Sequence, residues 1–581
     1  MTALRTPDPA PWKRLGVALA IAAALVATYG EVWRQGAGDG LPATAVRDLP
    51  DYRLTLFSRA DVTYEAWLVA RHARTLWHRP WRLFDTEHCY PEKRSLTFGI
   101  PMISMGILAI PASLVTRNPI AIYNATLALQ SAIAALAMVL LVSRWTGQRA
   151  AGLVAGLLSA FHPMRLGNIT HPTEWDTTGM VFALYFAERL CERGRWRDAL
   201  GFAAATSMQV ATSFYPLLAA ALLTPPFAAW LALRRGRPRL PLAQLALAGV
   251  LVALAAALVL GPYLEARHGA QIGSREQVGY ATWALYAPGA GLFPGWLLLA
   301  LAAVGLAAPR RLGLAQLRGD PRLPLAAGAA LVAFVAAGPD TALRLRDLGL
   351  PVPDFDPYAA LARILPGLDA VRGVLRLAAG VQGVLCILAG AGTAALIRLA
   401  GRRGAWVSGA AIASAFAACF GVPLLGAAPA YRWTYEAVHP DPGSIAFFER
   451  LASMRDAGPL LELPLDGTAR VPTFAGPDRI LLSAWHGRPT SACFGSFIPP
   501  GRERLEQVAA GLPERESVRA LRELGFTTLV IHHPGGLARA RLALRRFEVA
   551  ANAPDAPLRL LDESEAMTAY SLIDAEPAHQ P

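Results

Sequence analysis

The sequence predicts a polytopic α-helical membrane protein of about 11 transmembrane helices with a C-terminal soluble α/β domain. The 581-residue chain is 54% hydrophobic and has a mean hydropathy of +0.35. Only 17% of its residues are charged, below the roughly 25% that is usual for soluble domains. Apolar segments recur at about 20 residues, the length that crosses a bilayer. Short apolar runs alternate with charged stretches only towards the C-terminus, which favours a separate soluble domain there.

The net charge of +13 arises from arginines that cluster in short loops between apolar segments. The clustered residues are Arg144, Arg149, Arg189, Arg193, Arg195, Arg197, Arg234, Arg235, Arg237, Arg239, Arg310, Arg311, Arg318, Arg322, Arg398, Arg402 and Arg403. Clusters of this kind mark cytoplasmic loops of membrane proteins. A nucleic-acid-binding protein would instead show one contiguous basic face. The distribution therefore predicts a membrane topology and argues against nucleic acid as a partner.

Eleven membrane spans follow from this pattern. Lys13 and Arg14 precede the first span, which predicts a cytoplasmic N-terminus. A signal peptide is disfavoured because the candidate cleavage region at 27–30 is poor. Segment 97–116 is apolar but broken by prolines, and we expect it to lie in the interface or to re-enter. The predicted spans are 15–30, 120–143, 150–163, 174–189, 198–212, 214–233, 241–262, 292–308, 323–338, 374–398 and 405–427.

An odd number of spans places the C-terminal domain outside the cytoplasm. Within that domain, 458–464 and 526–533 are apolar runs bounded by turn residues, and we predict a buried strand in each. The four predicted parts are residues 1–30 with the first helix, the long external loop 31–119 with interfacial helices, the helical domain 120–427 and the α/β domain 428–581.

The five cysteines do not define a disulfide pattern on their own. Cys89 and Cys493 both fall outside, where a disulfide can persist, but the sequence does not place them close together. Cys191, Cys386 and Cys419 lie in or near the membrane, where a buried thiol behaves as a small apolar group. The chain has no CxxC motif, no P-loop and no GxGxxG in a convincing context. A nucleotide-driven pump and a dinucleotide enzyme are therefore disfavoured.

Asp61 and Glu65 are the first candidate catalytic residues. They are four residues apart in a polar stretch between two membrane-seeking segments, so a short helix would present both on one face. A carboxylate at the lipid–water boundary can take a proton from one substrate while a second arrives on a lipid carrier. The alternative is an ordinary solvated loop helix.

Glu174 and Asp176 form a second acidic pair, where the third predicted span ends and the fourth begins. Alternate acidic residues on an extended segment can ligate one hard divalent cation, or they can be N-terminal helix carboxylates favoured by the macrodipole. Boundary carboxylates are costly, which favours a functional role. His171 precedes this pair, and His88 lies in a polar cluster just before segment 97–116. We take both histidines as candidate substrate-binding residues.

Three arginines precede the tenth predicted span on the outer side, against the inside-positive pattern. They are Arg363, Arg372 and Arg376, and the last two have the i,i+4 spacing that places side chains on one helix face. Guanidinium groups suit phosphate because they offer forked donors and a permanent charge. Snorkelling, or pairing with acidic lipid headgroups, is the other explanation.

The chain resembles bacterial membrane glycosyltransferases of the GT-C superfamily, akin to the polyprenyl-phosphate-sugar-dependent protein mannosyltransferases and aminoarabinose transferases. The resemblance covers roughly residues 10–430 in architecture. It is carried by the acidic site in a long first external loop, the external C-terminal domain, and four short sequence features. These features are Tyr90–Pro91, Gly147–Leu153 after the second span, Phe161-His162-Pro163, and His171 leading into the fourth span. The family often shows adjacent acidic residues in the first loop, whereas Asp61 has no acidic neighbour before Glu65.

The resemblance implies inverting transfer of a sugar from a polyprenyl-phosphate carrier to a glycan, lipid or protein acceptor at the outer face of a bacterial cytoplasmic membrane. Asp61 would be the general base, and the donor phosphate would lie near Arg372 and Arg376. A metal is not obligatory; if Mg²⁺ or Mn²⁺ is used, Glu174 and Asp176 are the candidate ligands with Asp61. Two other classes stay open, a lipid or solute transporter and a noncatalytic envelope-assembly protein. A transporter would show repeats and broken helices at mid-membrane, and we find neither in the sequence.

Overall fold

A computed structural model describes most of the chain. The described residues are 11–46, 52–233, 241–266, 271–272, 279–317, 319–365, 368, 371–420, 431–455, 457–465, 475–533 and 538–573. The first elements of the chain, up to residue 266, are α1 Pro11–Gln35, β1 Gly40–Val46, α2 Tyr52–His78, α3 Ile103–Ser113, α4 Pro119–Thr146, α5 Arg149–Ala160, α6 Pro163–Leu166, α7 Thr178–Arg193, α8 Trp196–Thr212, α9 Phe214–Leu233 and α10 Leu242–Ala266. The rest of the helical domain contains β2 Gln271–Ile272, α11 Trp296–Ala307, α12 Arg310–Gly313, α13 Arg322–Ala337, α14 Asp340–Asp347, α15 Pro357–Ile364, α16 Ala378–Leu399 and α17 Gly404–Phe420.

Six helices of the described part are long and apolar enough to cross a membrane, so the chain is a multi-pass helical membrane protein. They are α1, α4, α9, α10, α16 and α17. The other five predicted spans correspond to shorter helices, namely α5, α7, α8, α11 and α13. A seventh span is counted if α13 and α14, which meet at a bend of 92°, form one broken span. The count of about eleven therefore stays a prediction.

The polar stretch with Asp61 and Glu65 is not the short loop helix that we expected. It belongs to α2, a 27-residue helix that packs against α3, α4 and the later helix α19 Ala475–His486. The buried face of α2 includes Val62, Trp67 and Leu68. Because α2 mixes charged and apolar residues along its whole length, its mean hydropathy does not separate it from a loop.

Segment 97–116 contains α3, an apolar helix of 11 residues. It is too short to cross a bilayer and packs against α2, α4 and α8. Gly106 permits the contact with α2, because a Cβ atom there would lie 2.4 Å from Cβ of His72. Whether α3 lies in the interface or re-enters stays a prediction.

The core of the helical domain is centred on α16, which packs against α5, α11, α13 and α17. Its closest approach is to α11, where Gly305 faces Gly392. A Cβ atom on Gly305 would lie 1.9 Å from the carbonyl oxygen of Leu388. Glycine allows two helix backbones to approach closely enough for van der Waals packing, which drives helix association in lipid. Two of the free cysteines, Cys386 and Cys419, are buried in this core, as predicted.

The C-terminal part contains a mixed sheet of order β4-β6-β8-β7 with helices on it. The two strands predicted from the sequence are β4 Leu460–Leu463 and β6 Thr528–His532, and they pair in parallel. Apolar clusters lie on both faces, one around Phe526 and Leu529 and one around Phe448 and Val530. The other elements are β3 Tyr431–Ala437, α18 Pro442–Ser453, α19 Ala475–His486, β5 Phe497–Ile498, α20 Arg502–Ala510, α21 Arg515–Glu523, α22 Ala538–Ala551, β7 Leu558–Glu563 and β8 Met567–Leu572.

Cys89 and Cys493 form a disulfide, which answers the question that the sequence left open. The bridge joins the first long loop to the C-terminal domain, and backbone hydrogen bonds continue the junction on both sides of it. The amide of Cys89 donates to the carbonyl of Ala492 at 2.8 Å, and the amide of Ser496 donates to Phe98 at 2.6 Å. Strand β1 pairs with β3, and β2 pairs with β5. The disulfide junction and these two strand pairs therefore join the C-terminal part of the chain to the part that precedes it.

Candidate active site

Glu65 lies in the interior, on the face of α2 that packs against α4. Its residue exposure is 2%, and the hydroxyl of Tyr123 on α4 donates a hydrogen bond of 2.9 Å to its Oε2. Burial raises the pKa of Glu65 well above its ordinary range, and the nearby charges of Glu174 and Asp61 raise it further, while the Tyr123 bond acts in the opposite direction. Its surroundings therefore favour the neutral carboxylic acid.

Asp61 lies one turn earlier on α2 and remains accessible. Its side chain is 30% exposed, and Oδ2 is 3.2 Å from Nε2 of His171. The histidine is positioned by the short turn after α6, where its backbone amide donates to Asn168 at 3.0 Å. A carboxylate held by an imidazole and open to solvent can accept a proton from a hydroxyl group, which is the chemistry expected of a general base.

Glu174 pairs with Arg376, which lies in the 3-10 turn Val374–Leu377 before α16. Nη1 of Arg376 donates to Oε1 of Glu174 at 2.8 Å, and Nε lies 2.6 Å from Oε2 without the alignment of a hydrogen bond. Tyr215 supports the guanidinium from a third element, since its hydroxyl accepts from Nη1 at 3.3 Å and its ring lies 5.1 Å from Cζ. Nη2 makes no hydrogen bond to a described residue, which leaves one edge of the fork for an anion.

These residues belong to one constellation. The charges of Asp61 and Glu174 act on Glu65, and the charge of Asp61 also acts on Glu174. Arg376 is within electrostatic reach of Asp61 and Glu65. Burial raises the pKa of Glu174, the charges of Arg376 and His171 lower it, and Asp61 raises it again. The sequence named all five side chains, and the structure brings them together from α2, the α6–α7 loop and the turn before α16.

Asp176 does not join this constellation. Its Oδ2 accepts from the amide of Gln130 at 2.9 Å, its Oδ1 accepts from the backbone of Thr178 at 3.0 Å, and Arg165 approaches Oδ1 to 3.6 Å. Asp176 thus serves the start of α7, which is the capping alternative for this pair. Within the described residues no group of three or more His, Cys, Asp or Glu side chains could hold a metal ion. With Asp176 so engaged and Glu174 paired to Arg376, the arrangement does not fit a divalent cation, and metal use stays an untested prediction.

Three other predicted site residues lie elsewhere. Arg372 precedes the 3-10 turn, so the helix face it was expected to share with Arg376 does not form. Its backbone carbonyl accepts from the amide of Gly279 at 2.8 Å, and its side chain makes no hydrogen bond or ion pair with a described residue. Arg363 is exposed at the end of α15. His88 is fully buried between Tyr64, Trp67 and the disulfide, so it is not available to a substrate.

Two tyrosines of the site were missed. Tyr123 lies in an apolar span, where a lone tyrosine gives no signal of a carboxylate partner. Tyr215 lies at the start of α9, next to the break that separates the predicted spans 198–212 and 214–233. Both act through tertiary contacts, and neither has a characteristic sequence motif.

An apolar groove of about 350 Å³ runs along α7, α8 and α9, and its lining includes Leu217, two residues after Tyr215. Met180 and Leu217 line the end near Tyr215, and Leu231 and Leu245 line the other end. Gln209 is one of its few polar residues, and its amide is already engaged by the carbonyl of Asp176 and the amide of Met180. Its lining suits a hydrocarbon chain rather than a polar solute.

Comparisons with known proteins give limited information. No protein-family model matches the chain, and no curated protein matches it either. Among solved structures, it is similar to the archaeal oligosaccharyltransferase AglB from Archaeoglobus fulgidus, solved in complex with an inhibitory peptide and a dolichol-phosphate. The identity is 13%, the TM-score is 0.41, and the match covers 90% of this chain and 70% of that one. A likeness at this level carries no functional argument, so function depends on the site itself.

Proposed function

We propose that the protein is a membrane glycosyltransferase that moves a sugar from a polyprenyl-phosphate carrier to an acceptor hydroxyl by inverting transfer. The observation that carries the proposal is the constellation of an accessible carboxylate and a guanidinium whose Nη2 makes no hydrogen bond to a described residue, together with an apolar groove whose lining includes Leu217, two residues after Tyr215. A base, an anion site and a hydrocarbon site are what such a reaction requires. A cation-coupled transporter would need the carboxylates but not the arginine beside a lipid-sized groove.

Asp61 acts as the base in this proposal. Its Oδ atom accepts the proton of the acceptor hydroxyl, and the acceptor oxygen attacks the anomeric carbon as the bond from that carbon to the phosphate oxygen breaks. The electron pair of the broken bond leaves with the polyprenyl phosphate. His171 orients Asp61, and the neutral Glu65 adds no further negative charge beside it. A positioned base contributes on the order of 10²–10⁴-fold to the rate.

Arg376 receives the donor phosphate at the edge that carries Nη2. Glu174 and Tyr215 hold the other edge, so the guanidinium is oriented before the donor arrives. Charge-assisted hydrogen bonds from arginine to phosphate are among the stronger polar contacts in proteins. The bond that breaks places developing charge on the phosphate, and Arg376 stabilises it there.

The groove along α7–α9 accommodates the lipid tail of the donor. Its end at Met180 and Leu217 is near Tyr215, which contacts Arg376. One donor molecule therefore places its phosphate on Arg376 and its hydrocarbon chain in the groove. A bulky substitution in the groove, Ala220→Trp, is expected to raise KM for a long-chain donor and to leave KM for a short-chain analogue unchanged. Leu254→Trp, at an exposed position on α10, is the matched control.

The decisive experiment is sugar transfer by the purified full chain in proteoliposomes supplied with candidate polyprenyl-phosphate sugars. Asp61→Asn should lower kcat by about 10²–10⁴-fold while insertion and thermal stability are unchanged. Asp347→Asn, an exposed isosteric change on α14, should retain wild-type rates. Full activity of Asp61→Asn would remove this residue from the mechanism. Failure of the wild type with every donor and acceptor tried would favour the noncatalytic alternative.

A further inference from the structure

The end of α2 and the 3-10 turn after it form a surface whose composition the proposed transfer does not use. Residues 77–82 are all exposed, and they contain two tryptophans and two arginines. Trp77 is 59% exposed and Trp81 is 78% exposed. Two large aromatic side chains on successive turns are rarely left in water, because each costs the free energy of its exposed apolar area. We call residues 77–82 the Trp-Arg edge.

The Trp-Arg edge lies beside the C-terminal part of α10. Leu76 and Phe84, which flank it, pack in one cluster with Val259 and Leu260 in the last turns of α10. Of the candidate spans in the described part, α10 is the least buried within the protein, so its sides face lipid. Tryptophan is enriched at this depth of membrane proteins, where the indole meets both headgroups and hydrocarbon.

The two arginines of the edge lack an acidic partner. Arg79 and Arg82 are exposed, and no ion pair links either one to a described carboxylate. The nearby acids are already engaged. Glu87 pairs with Arg71 at 3.0 Å, and Asp85 accepts from the backbone amide of Arg94 at 3.0 Å.

Two further arginines increase the positive charge around the edge. Arg74, one turn before Trp77, is half-buried, and Arg117 is exposed at the start of α4. Burial lowers the pKa of Arg74, and the neighbouring charges of Arg117 and Arg71 lower it further, as expected for cations that lie near one another. Glu87 opposes this effect, but it is shared with Arg71. This excess of cations beside a lipid-facing helix calls for anions that the described residues do not supply.

We propose that the Trp-Arg edge binds the headgroups of anionic phospholipids in the leaflet that faces the Ala266 end of α10. Trp77 and Trp81 insert at the level of the ester groups, and Arg79 and Arg82 contact the phosphates. Forked guanidinium donors match phosphate oxygens, and each basic residue near an anionic surface contributes about 1 kcal/mol. The contact anchors α2, and therefore Asp61 and Glu65, at a fixed depth relative to the bilayer.

Lipid binding can be measured by native mass spectrometry of the full chain in detergent with equal amounts of phosphatidylglycerol and phosphatidylcholine. The wild type should retain phosphatidylglycerol preferentially. Arg79→Gln/Arg82→Gln should weaken that binding roughly thirtyfold. This factor is the combined contribution of the two arginines, about 1 kcal/mol each, converted at about 1.4 kcal/mol per tenfold change in affinity. Arg504→Gln/Arg519→Gln removes the same charge from exposed positions in the C-terminal domain and should have no effect.

The depth of the edge needs a second measurement, which does not depend on the folding of the double variant. A nitroxide attached at position 81 in Trp81→Cys should collide more often with oxygen than with a water-soluble nickel chelate in phosphatidylglycerol bilayers. A label at position 504, in Arg504→Cys, should show the reverse. An unchanged lipid preference in the double variant would mean aromatic anchoring without headgroup selectivity and would overturn the proposal. A label at position 81 that faces water would overturn it equally.

Discussion

Arg376 and Glu174 form a buried ion pair in which Nη1 donates 2.8 Å to Oε1 and Nε lies 2.6 Å from Oε2. The carboxylate is 2% exposed and the guanidinium side chain 24% exposed. Removing one partner of a buried pair is costly because the other charge is left without compensation, whereas removing both is often tolerated. The pair therefore constrains which variants of this site can fold.

Arg376→Gln should destabilise the protein by about 3–5 kcal/mol, because Glu174 then remains buried and unpaired. The double variant Arg376→Gln/Glu174→Gln should recover much of that loss. Apparent Tm in detergent, measured at one scan rate for both variants, tests this. Arg363→Gln, which changes an exposed arginine of the same loop region, serves as the control and should leave Tm unchanged. Equal losses in the single and double variants would show that the pairing contributes little.

Glu65 should make stability depend on pH. Because its pKa is raised in the folded state, the folded protein binds a proton that the unfolded chain releases near the ordinary value of 4.5. The stabilisation is complete below that value and is lost as the pH rises towards the raised pKa. Glu65→Gln mimics the neutral form and can still accept from Tyr123. Its Tm should therefore fall less than that of the wild type between about pH 5 and about pH 8.

The control for this pH profile is Glu503→Gln, an exposed substitution on α20. Its profile should run parallel to that of the wild type, since the substitution changes only an exposed side chain. If the profile of Glu65→Gln also runs parallel to the wild type, Glu65 is not the neutral acid that its surroundings imply.

Hydropathy predicted the long helices because a bilayer requires continuous apolar runs. The break at Ser213 and the strands β4 and β6 were also predicted, since turn residues bound short apolar segments there. Helix α2 was not predicted at its full length, because it is stabilised by packing against three other helices rather than by its own composition. The stability of such a helix comes mainly from tertiary packing, and local sequence patterns carry little information on that packing.

The residues of the candidate site were likewise predicted only in part. Charged residues near a membrane boundary are costly enough to be noticed in a sequence, so Asp61, Glu174 and Arg376 were all named. Their partners were not predictable, because the Glu174–Arg376 contact joins residues 202 positions apart. The i,i+4 spacing of Arg372 and Arg376 was misleading, since it describes a helix face only where a helix forms.

The disulfide between Cys89 and Cys493 should stabilise the C-terminal domain against the first loop. Cys89→Ser/Cys493→Ser removes a link between residues 404 positions apart, and a native disulfide typically contributes about 2–4 kcal/mol. Apparent Tm should fall, and hydrogen exchange should increase at the amides of the junction, including Ser496. Cys191→Ala, at a buried cysteine that is not disulfide-bonded, is the control. Unchanged exchange at the junction would mean that the strand pairs alone hold the domain.

The contact between α11 and α16 provides the sharpest steric prediction. Gly305→Ala would place Cβ 1.9 Å from the carbonyl oxygen of Leu388 and 2.8 Å from the amide nitrogen of Gly392. Both neighbours are backbone atoms, so the helices must separate, and overpacking of this kind typically costs about 1–3 kcal/mol or more. Gly249→Ala on α10 meets no atom within 4 Å and removes a glycine from a helix interior, which favours the helix by up to about 1 kcal/mol. The two substitutions should therefore shift apparent Tm in opposite directions, and a similar shift for both would contradict the close approach of α11 and α16.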